Sequence, residues 1–229
     1  MIKIKVAVLV SGGKDSTYSL WLALQQYDVV SLITVLSDKE SMLYQFQQEH
    51  TMLAYQEATG LPLEIVRASN EDEELDKLEQ VLKKLKVEAF VIGGIRSEYQ
   101  RFKFNDVGTR LGIPCFAPIW RKEEELLLNE MTNNMTFILS TVASMGFTAH
   151  DLGSVVDRKM VLRLNQLYEK YGVSRIGEGG EFESMVLDAP FFKKKIVIYE
   201  SLPEFDDKRF FGYLHINKIS TEPKKKIYN

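Results

Sequence analysis

Val6-Ala7-Val8-Leu9-Val10-Ser11-Gly12-Gly13-Lys14-Asp15-Ser16 is the stretch on which the fold turns. Its first half is an apolar, β-branched run that reads as a buried strand, and Ser16 to Gln26 reads as the helix that follows. Between them Gly12 and Gly13 let the backbone come close to an anion, and the helix N-terminus offers unpaired N–H groups at its positive end. Lys14 adds a mobile cation, and Ser11 and Ser16 add hydroxyls. Strand, glycine turn and helix start together predict a phosphate site.

The stretch is not a Walker A loop. That pattern requires glycine where Val8 stands and serine or threonine where Asp15 stands. Ser11 to Ser16 instead resembles the pyrophosphate loop of the N-type ATP pyrophosphatases, which cleave ATP to AMP and pyrophosphate.

The pattern continues outward. Val29 to Leu36 is a second apolar run, followed by a polar loop from Ser37 to Ser41. Met42 to Thr59 reads as a helix stopped by Gly60 and Pro62, and Leu63 to Val66 as a third strand. Glu71 to Lys86 is amphipathic, with Leu75, Leu78, Leu82 and Leu85 on one face, acids leading and lysines closing it. Ala89 to Gly94 is a fourth strand ending in glycines, Tyr99 to Leu111 a helix, and Cys115 to Ala117 a fifth strand. Strands alternating with helices predict an α/β fold: a Rossmann-like parallel sheet with helices on both faces.

Near Trp120 the alternation stops. Glu123 to Met131 and Val156 to Tyr171 read as helices. Thr136 to Val142, Ile196 to Tyr199 and Phe211 to Leu214 read as strands. We expect residues 1–121 to be a nucleotide-binding domain and 122–229 a smaller α+β domain for the second substrate. The tail from Glu222 to Lys226 reads as frayed.

Composition narrows the function classes. The chain has 229 residues and a formal charge of −3, and its pI near 5.8 argues against direct nucleic-acid binding. A single cysteine, Cys115, excludes an internal disulfide. It also cannot supply the paired thiols used in sulfur transfer to tRNA. Its place on an expected strand suggests a core residue rather than a glutaminase nucleophile. His50, His150 and His215 show no metal-ligand spacing. With no leader and no apolar run near the ~18–20 residues of a membrane span, the expectation is a cytoplasmic protein without a membrane partner. Neither a monomer nor a homodimer is excluded.

Two further stretches carry chemistry. Ser97-Glu98-Tyr99-Gln100-Arg101 follows Gly93-Gly94 at the same strand edge as the first loop, where open α/β sheets bind ligands. Arg101 could hold a phosphate or carboxylate, and Tyr99 or Gln100 could bond or stack. Gly177-Glu178-Gly179-Gly180-Glu181-Phe182-Glu183-Ser184 interleaves carboxylates with glycines, a composition suited to a loop that grips Mg²⁺, ammonium or a quaternary ammonium group. A crowded carboxylate there could also act as a base.

With Val186-Leu187-Asp188-Ala189-Pro190-Phe191-Phe192 behind them, these motifs resemble the diphthine–ammonia ligase family in its compact archaeal form, from Val6 to about Tyr199. The resemblance implies a HUP-type first domain and amidation of the diphthine carboxylate on elongation factor 2. ATP would form an acyl adenylate, and ammonia would displace AMP. Carried over, Ser11, Gly12, Gly13, Lys14, Asp15, Ser16, Gly93 and Gly94 would bind ATP, with Lys14 stabilising the departing pyrophosphate and Asp15 placing Mg²⁺. Tyr99, Gln100, Arg101, Glu178, Glu181 and Glu183 would frame the acceptor, the three glutamates with catalytic roles. Glu98 and Ser184 depart mildly from the usual family text. The competing readings are a ligase for another small carboxylate and a non-catalytic HUP-type nucleotide sensor.

Overall fold

The computed structural model describes residues 3–37 and 48–224. The expected loop beyond Ser37, the first part of the helix expected from Met42, and Lys225 and Lys226 lie outside them. The chain divides into two compact units, 1–56 with 60–121 and 57–59 with 122–229. Among the described residues no helix is long and apolar enough to cross a membrane.

The first unit holds five parallel strands: β1 (Lys5–Leu9), β2 (Asp28–Ser37), β3 (Leu63–Ala68), β4 (Ala89–Val91) and β5 (Cys115–Phe116). They lie in the order β3-β2-β1-β4-β5. Between them run α1 (Lys14–Gln26), α2 (Glu49–Thr59), α3 (Glu71–Leu85) and α4 (Glu98–Leu111). Chain order reverses between β1 and β4, which are paired with Val8 opposite Val91. Their C-terminal ends flank the crevice where such sheets take ligands.

Burial follows from sequence. β1 is buried along Val6 to Leu9 because helices cover both faces. Ala7 and Leu9 point into a cluster with Leu75, Leu78 and Leu82 of α3 and Phe104 and Val107 of α4. Val6 and Val8, one step out of phase, point to the opposite face. Asn70 caps α3 by accepting from the Glu73 N–H at 3.0 Å, and Lys86 ends it in the left-handed region at φ 51°. Fully burying a side chain such as Leu78 contributes about 2 kcal/mol.

The second unit is an antiparallel sheet with two helices. Its strands β6 (Thr136–Ala143), β7 (Phe182–Asp188), β8 (Lys194–Asp206) and β9 (Phe211–Pro223) lie in the order β7-β6-β9-β8. Helices α5 (Glu124–Asn134) and α6 (Arg158–Tyr171) bury Leu127, Leu128, Met131, Leu164 and Leu167. Asp151, 4% exposed, accepts from Arg163 Nε at 2.6 Å and Nη2 at 2.8 Å. It also accepts from the Thr148 N–H at 2.8 Å.

Two expectations need correction. Glu222 and Pro223 are not frayed; they end β9, and Lys224 pairs with Asp188 at 2.6 Å. The short strand-like runs near Ile196 and Phe211 belong to a hairpin of two 13-residue strands. Strand β8 is one edge of the sheet and β7 the other, with residues 199–204 of β8 exposed.

Candidate active site

The glycine loop forms as its residues require. Gly12 sits at φ +70°, a conformation that costs L-residues energy. The turn ties itself together: the Ser11 N–H donates to Ser16 Oγ at 3.0 Å, the Gly13 N–H to Ser11 Oγ at 3.3 Å, and Ser16 Oγ–H to the Gly13 carbonyl at 3.2 Å. The two serine hydroxyls therefore shape the loop first. Helix α1 begins at Lys14, and no side chain caps it at Gly13. Below it, Thr17 Oγ1 and the Tyr55 hydroxyl share a hydrogen bond of 2.9 Å in the core.

Gly93 brings the end of β4 against this loop. A Cβ there would lie 2.7 Å from the Ser16 backbone N and Cα, closer than any side chain allows. Gly94 faces Gln100, whose Oε1 would lie 3.8 Å from an added Cβ. The loop and the first turn of α4 are thus joined through two glycines.

Lys14 is 2% exposed, and its Nζ lies 2.8 Å from Asp15 Oδ2. Asp15 Oδ1 is buried and unpartnered, although the side chain as a whole is 30% exposed. Burial pushes this carboxyl above its ordinary range, against the pull of the Lys14 charge and hydrogen bond. An uncapped helix start, a buried lysine and a close glycine fit a polyphosphate. The orphaned Asp15 oxygen fits Mg²⁺, which commonly takes one or two carboxylates with phosphate oxygens and waters.

At the start of α4, Ser97 accepts from the Gln100 N–H at 3.3 Å. Tyr99 turns from Gln100 toward α3: its hydroxyl donates to Glu71, which also pairs with Lys103 at 2.9 Å. The Glu71 hydrogen bond raises the tyrosine pKa. Arg101 lies over the Trp120 ring, 4.7 Å from its centroid. Ile92, Arg101, Asn105, Cys115, Ala117 and Trp120 line a cleft of about 210 Å³. Burial pushes the Cys115 thiol up to about 12, partly offset by the Arg101 charge, so it stays neutral.

The glutamate-rich motif lies in the second unit and is half loop, half strand. The loop reading holds to Glu181; Phe182, Glu183 and Ser184 belong to β7. Glu181 folds back over Gly179, its two oxygens accepting from the Ser174 N–H at 3.0 Å and the Gly179 N–H at 2.8 Å. Ser174 Oγ accepts from the Ile176 and Glu178 N–H groups at 3.3 Å. Glu183 Oε2 accepts from Thr141 Oγ1 at 3.0 Å. Among the described residues no group of three or more His, Cys, Asp or Glu could hold a metal.

Sequence reasoning passed over Thr141, Ser174 and Trp120. No local pattern marks the first two. Trp120 had a signal, as a lone aromatic just past the last parallel strand.

Comparison with known proteins bears on both units. Residues 4–115 match the family described as "Diphthamide synthase N-terminal domain", and residues 123–221 match "Diphthamide synthase C-terminal domain". Curated relatives carry the name diphthine–ammonia ligase. The mouse protein is 33% identical over 96% of this chain and 93% of its own length. The bovine and human proteins are 36% and 35% identical, each over 86% of this chain and 84% of their own length. Among solved structures, the U34-tRNA thiolase NcsA from Methanococcus maripaludis covers 79% of this chain and 71% of its own, at 16% identity and a TM-score of 0.38.

Proposed function

The chain belongs to the diphthamide synthase family, and on that premise we propose that it amidates diphthine on elongation factor 2 with ammonia, at the expense of ATP. One observation carries the reading: the likeness to diphthine–ammonia ligases runs through both units, the glycine loop and the glutamate motif included.

In the first half-reaction the diphthine carboxylate attacks the α-phosphorus of ATP, giving an acyl adenylate and pyrophosphate. Ser11 to Ser16, with Gly93 and Gly94, cradle the phosphates. Buried Lys14 stabilises the charge that develops on the leaving pyrophosphate. Asp15, with its orphaned oxygen, would hold Mg²⁺, which neutralises phosphate charge when bound.

In the second half-reaction ammonia attacks the acyl carbon and AMP leaves, while a base accepts the proton lost by the attacking nitrogen. We assign that base to Glu183, held by Thr141. Glu178 contributes to the acceptor surface, and Glu181 fixes the loop that presents it. Tyr99, Gln100 and Arg101 contact the acceptor. We place the reaction in the cytoplasm, with Mg²⁺ required and neither membrane nor nucleic acid involved.

The test is incubation with Mg-ATP, ammonium and diphthine-bearing elongation factor 2, following AMP and the mass of the factor. The expected result is AMP formed in step with a mass change equal to exchanging a hydroxyl for an amino group. ATP bound but unspent, with the factor unchanged, would return the chain to the sensor reading.

A further inference from the structure

The cleft beside Trp120 holds more binding capacity than the structure uses. Two arginines approach the Trp120 ring, Arg101 at 4.7 Å and Arg121 at 5.9 Å from its centroid. Arg121 is spent on Glu98, with Nη2 2.6 Å from Oε1. Arg101 is not: among the described residues its guanidinium meets no acceptor, only the indole face. The Trp120 Nε1–H is buried and also has no acceptor. A buried donor left without an acceptor is unfavourable. Stacking on an aromatic leaves the N–H edge of a guanidinium available. Asn105, one turn beyond Arg101 on α4, adds an amide.

The other walls are apolar. Ile92 and Ala117 directly follow β4 and β5, so the cleft opens at the ligand-binding edge of the sheet. The Cys115 thiol beside them is neutral. At about 210 Å³ the cleft is smaller than the ~300 Å³ at the low end for drug-sized ligands. A phosphate would satisfy the donors but gain nothing from the apolar floor. A carboxylate on a short methylene chain uses both.

We propose that this cleft is a subsite for a short-chain carboxylate, gripped by Arg101 where it stacks on the Trp120 indole, with its methylenes on Ile92 and Ala117. Resting on the ligase reading, its natural occupant is the carboxylate-bearing arm of the acceptor. Trp120 and Asn105 thereby join Arg101 in recognising that substrate.

The chain contains two tryptophans, Trp21 and Trp120, so ¹⁵N-labelled protein gives two indole N–H signals, which a Trp120→Phe variant assigns. Butyrate should move the Trp120 signal saturably and leave that of Trp21 in place. Butyramide, and butyrate with Arg101→Leu, should each bind about tenfold more weakly, as losing one charge-assisted hydrogen bond implies. A Trp120 signal unmoved by butyrate, or moved equally by butyramide, overturns the subsite. In the amidation assay Trp120→Phe should raise KM for the factor about tenfold with KM for ATP unchanged; an unchanged factor KM also overturns it. A wild-type protein that fails to amidate would overturn the ligase reading alone, because the titration judges the cleft without turnover.

Discussion

Thr141 stands opposite Glu183 across β6 and β7 only because Ser140 is an extra residue in β6. Leu139 pairs with Ser184 and Thr141 with Glu183, leaving Ser140 between them without a partner. Such bulges redirect side chains, and this one lets the threonine hydroxyl hold the carboxylate at 3.0 Å. Thr141→Val keeps the strand-favouring shape and removes the donor. We expect kcat for amidation to fall about tenfold, the worth of a hydrogen bond to a charged group, with KM for ATP unchanged. Thr141→Ser should restore most of the rate. If valine and serine behave alike, the hydroxyl does not act through Glu183.

Lys14 and Glu183 should fail differently. Lys14→Ala should lower adenylation at least about a hundredfold, the usual loss on removing a preorganised charge at a reacting centre. Glu183→Gln should leave nucleotide binding intact and slow amide formation. Equal loss of ATP affinity in both variants would contradict this division of labour.

Gly93→Ala tests the joint between β4 and α1. Its Cβ would collide with the Ser16 backbone at 2.7 Å, which cannot swing aside as a flexible side chain can. Overpacking of this kind costs about 1–3 kcal/mol, and each kcal/mol should lower Tm by about 2–4 °C. ATP affinity should fall as well. Gly112→Ala is the control, since an added Cβ there meets nothing within 4 Å; it carries only the strain of its φ of +69°.

Asp151 should make the second unit sensitive to acid. Burial opposes its charge, but Arg163 and the Thr148 N–H outweigh burial and hold the carboxyl below its ordinary range. A depressed folded-state pKa adds stability above the unfolded value near ~4 that is lost as pH falls further. Asp151→Asn should cost about 2–3 kcal/mol at neutral pH, below the full cost of a buried pair because Arg163 is partly exposed. In urea melts the gap between variant and wild type should narrow from pH 7 to pH 3. A gap independent of pH would mean that the ion pair contributes nothing.

These sites differ in how plainly the sequence announced them. The parallel sheet was legible because Val6 to Val10 is a continuous apolar run and Val29 to Leu36 is broken only by Ser31 and Thr34, as expected of strands buried on both faces. The glycine loop was legible because strand, turn and helix each carry their own local signal. The long hairpin was not. Residues 199–204 of β8 are exposed, so the strand lacks the alternation that burial of one face imposes, and only its apolar ends showed. Glu183 read as loop because the neighbouring glycines dominated; its strand is imposed by pairing with β6. Thr141 acts through Glu183, 42 residues away in sequence, a pairing that no local pattern encodes.

The edge at β8 bears on how the molecule behaves in a crowd. An open edge is a template for another chain's backbone, yet this one carries Glu200, Glu204 and Asp206 with Pro203 among them. Two such edges pairing parallel and in register would set carboxylate against carboxylate, with an N–H missing midway. Pro203 and these carboxylates therefore make β8 a poorer template for fibre growth than a neutral, proline-free edge of the same length.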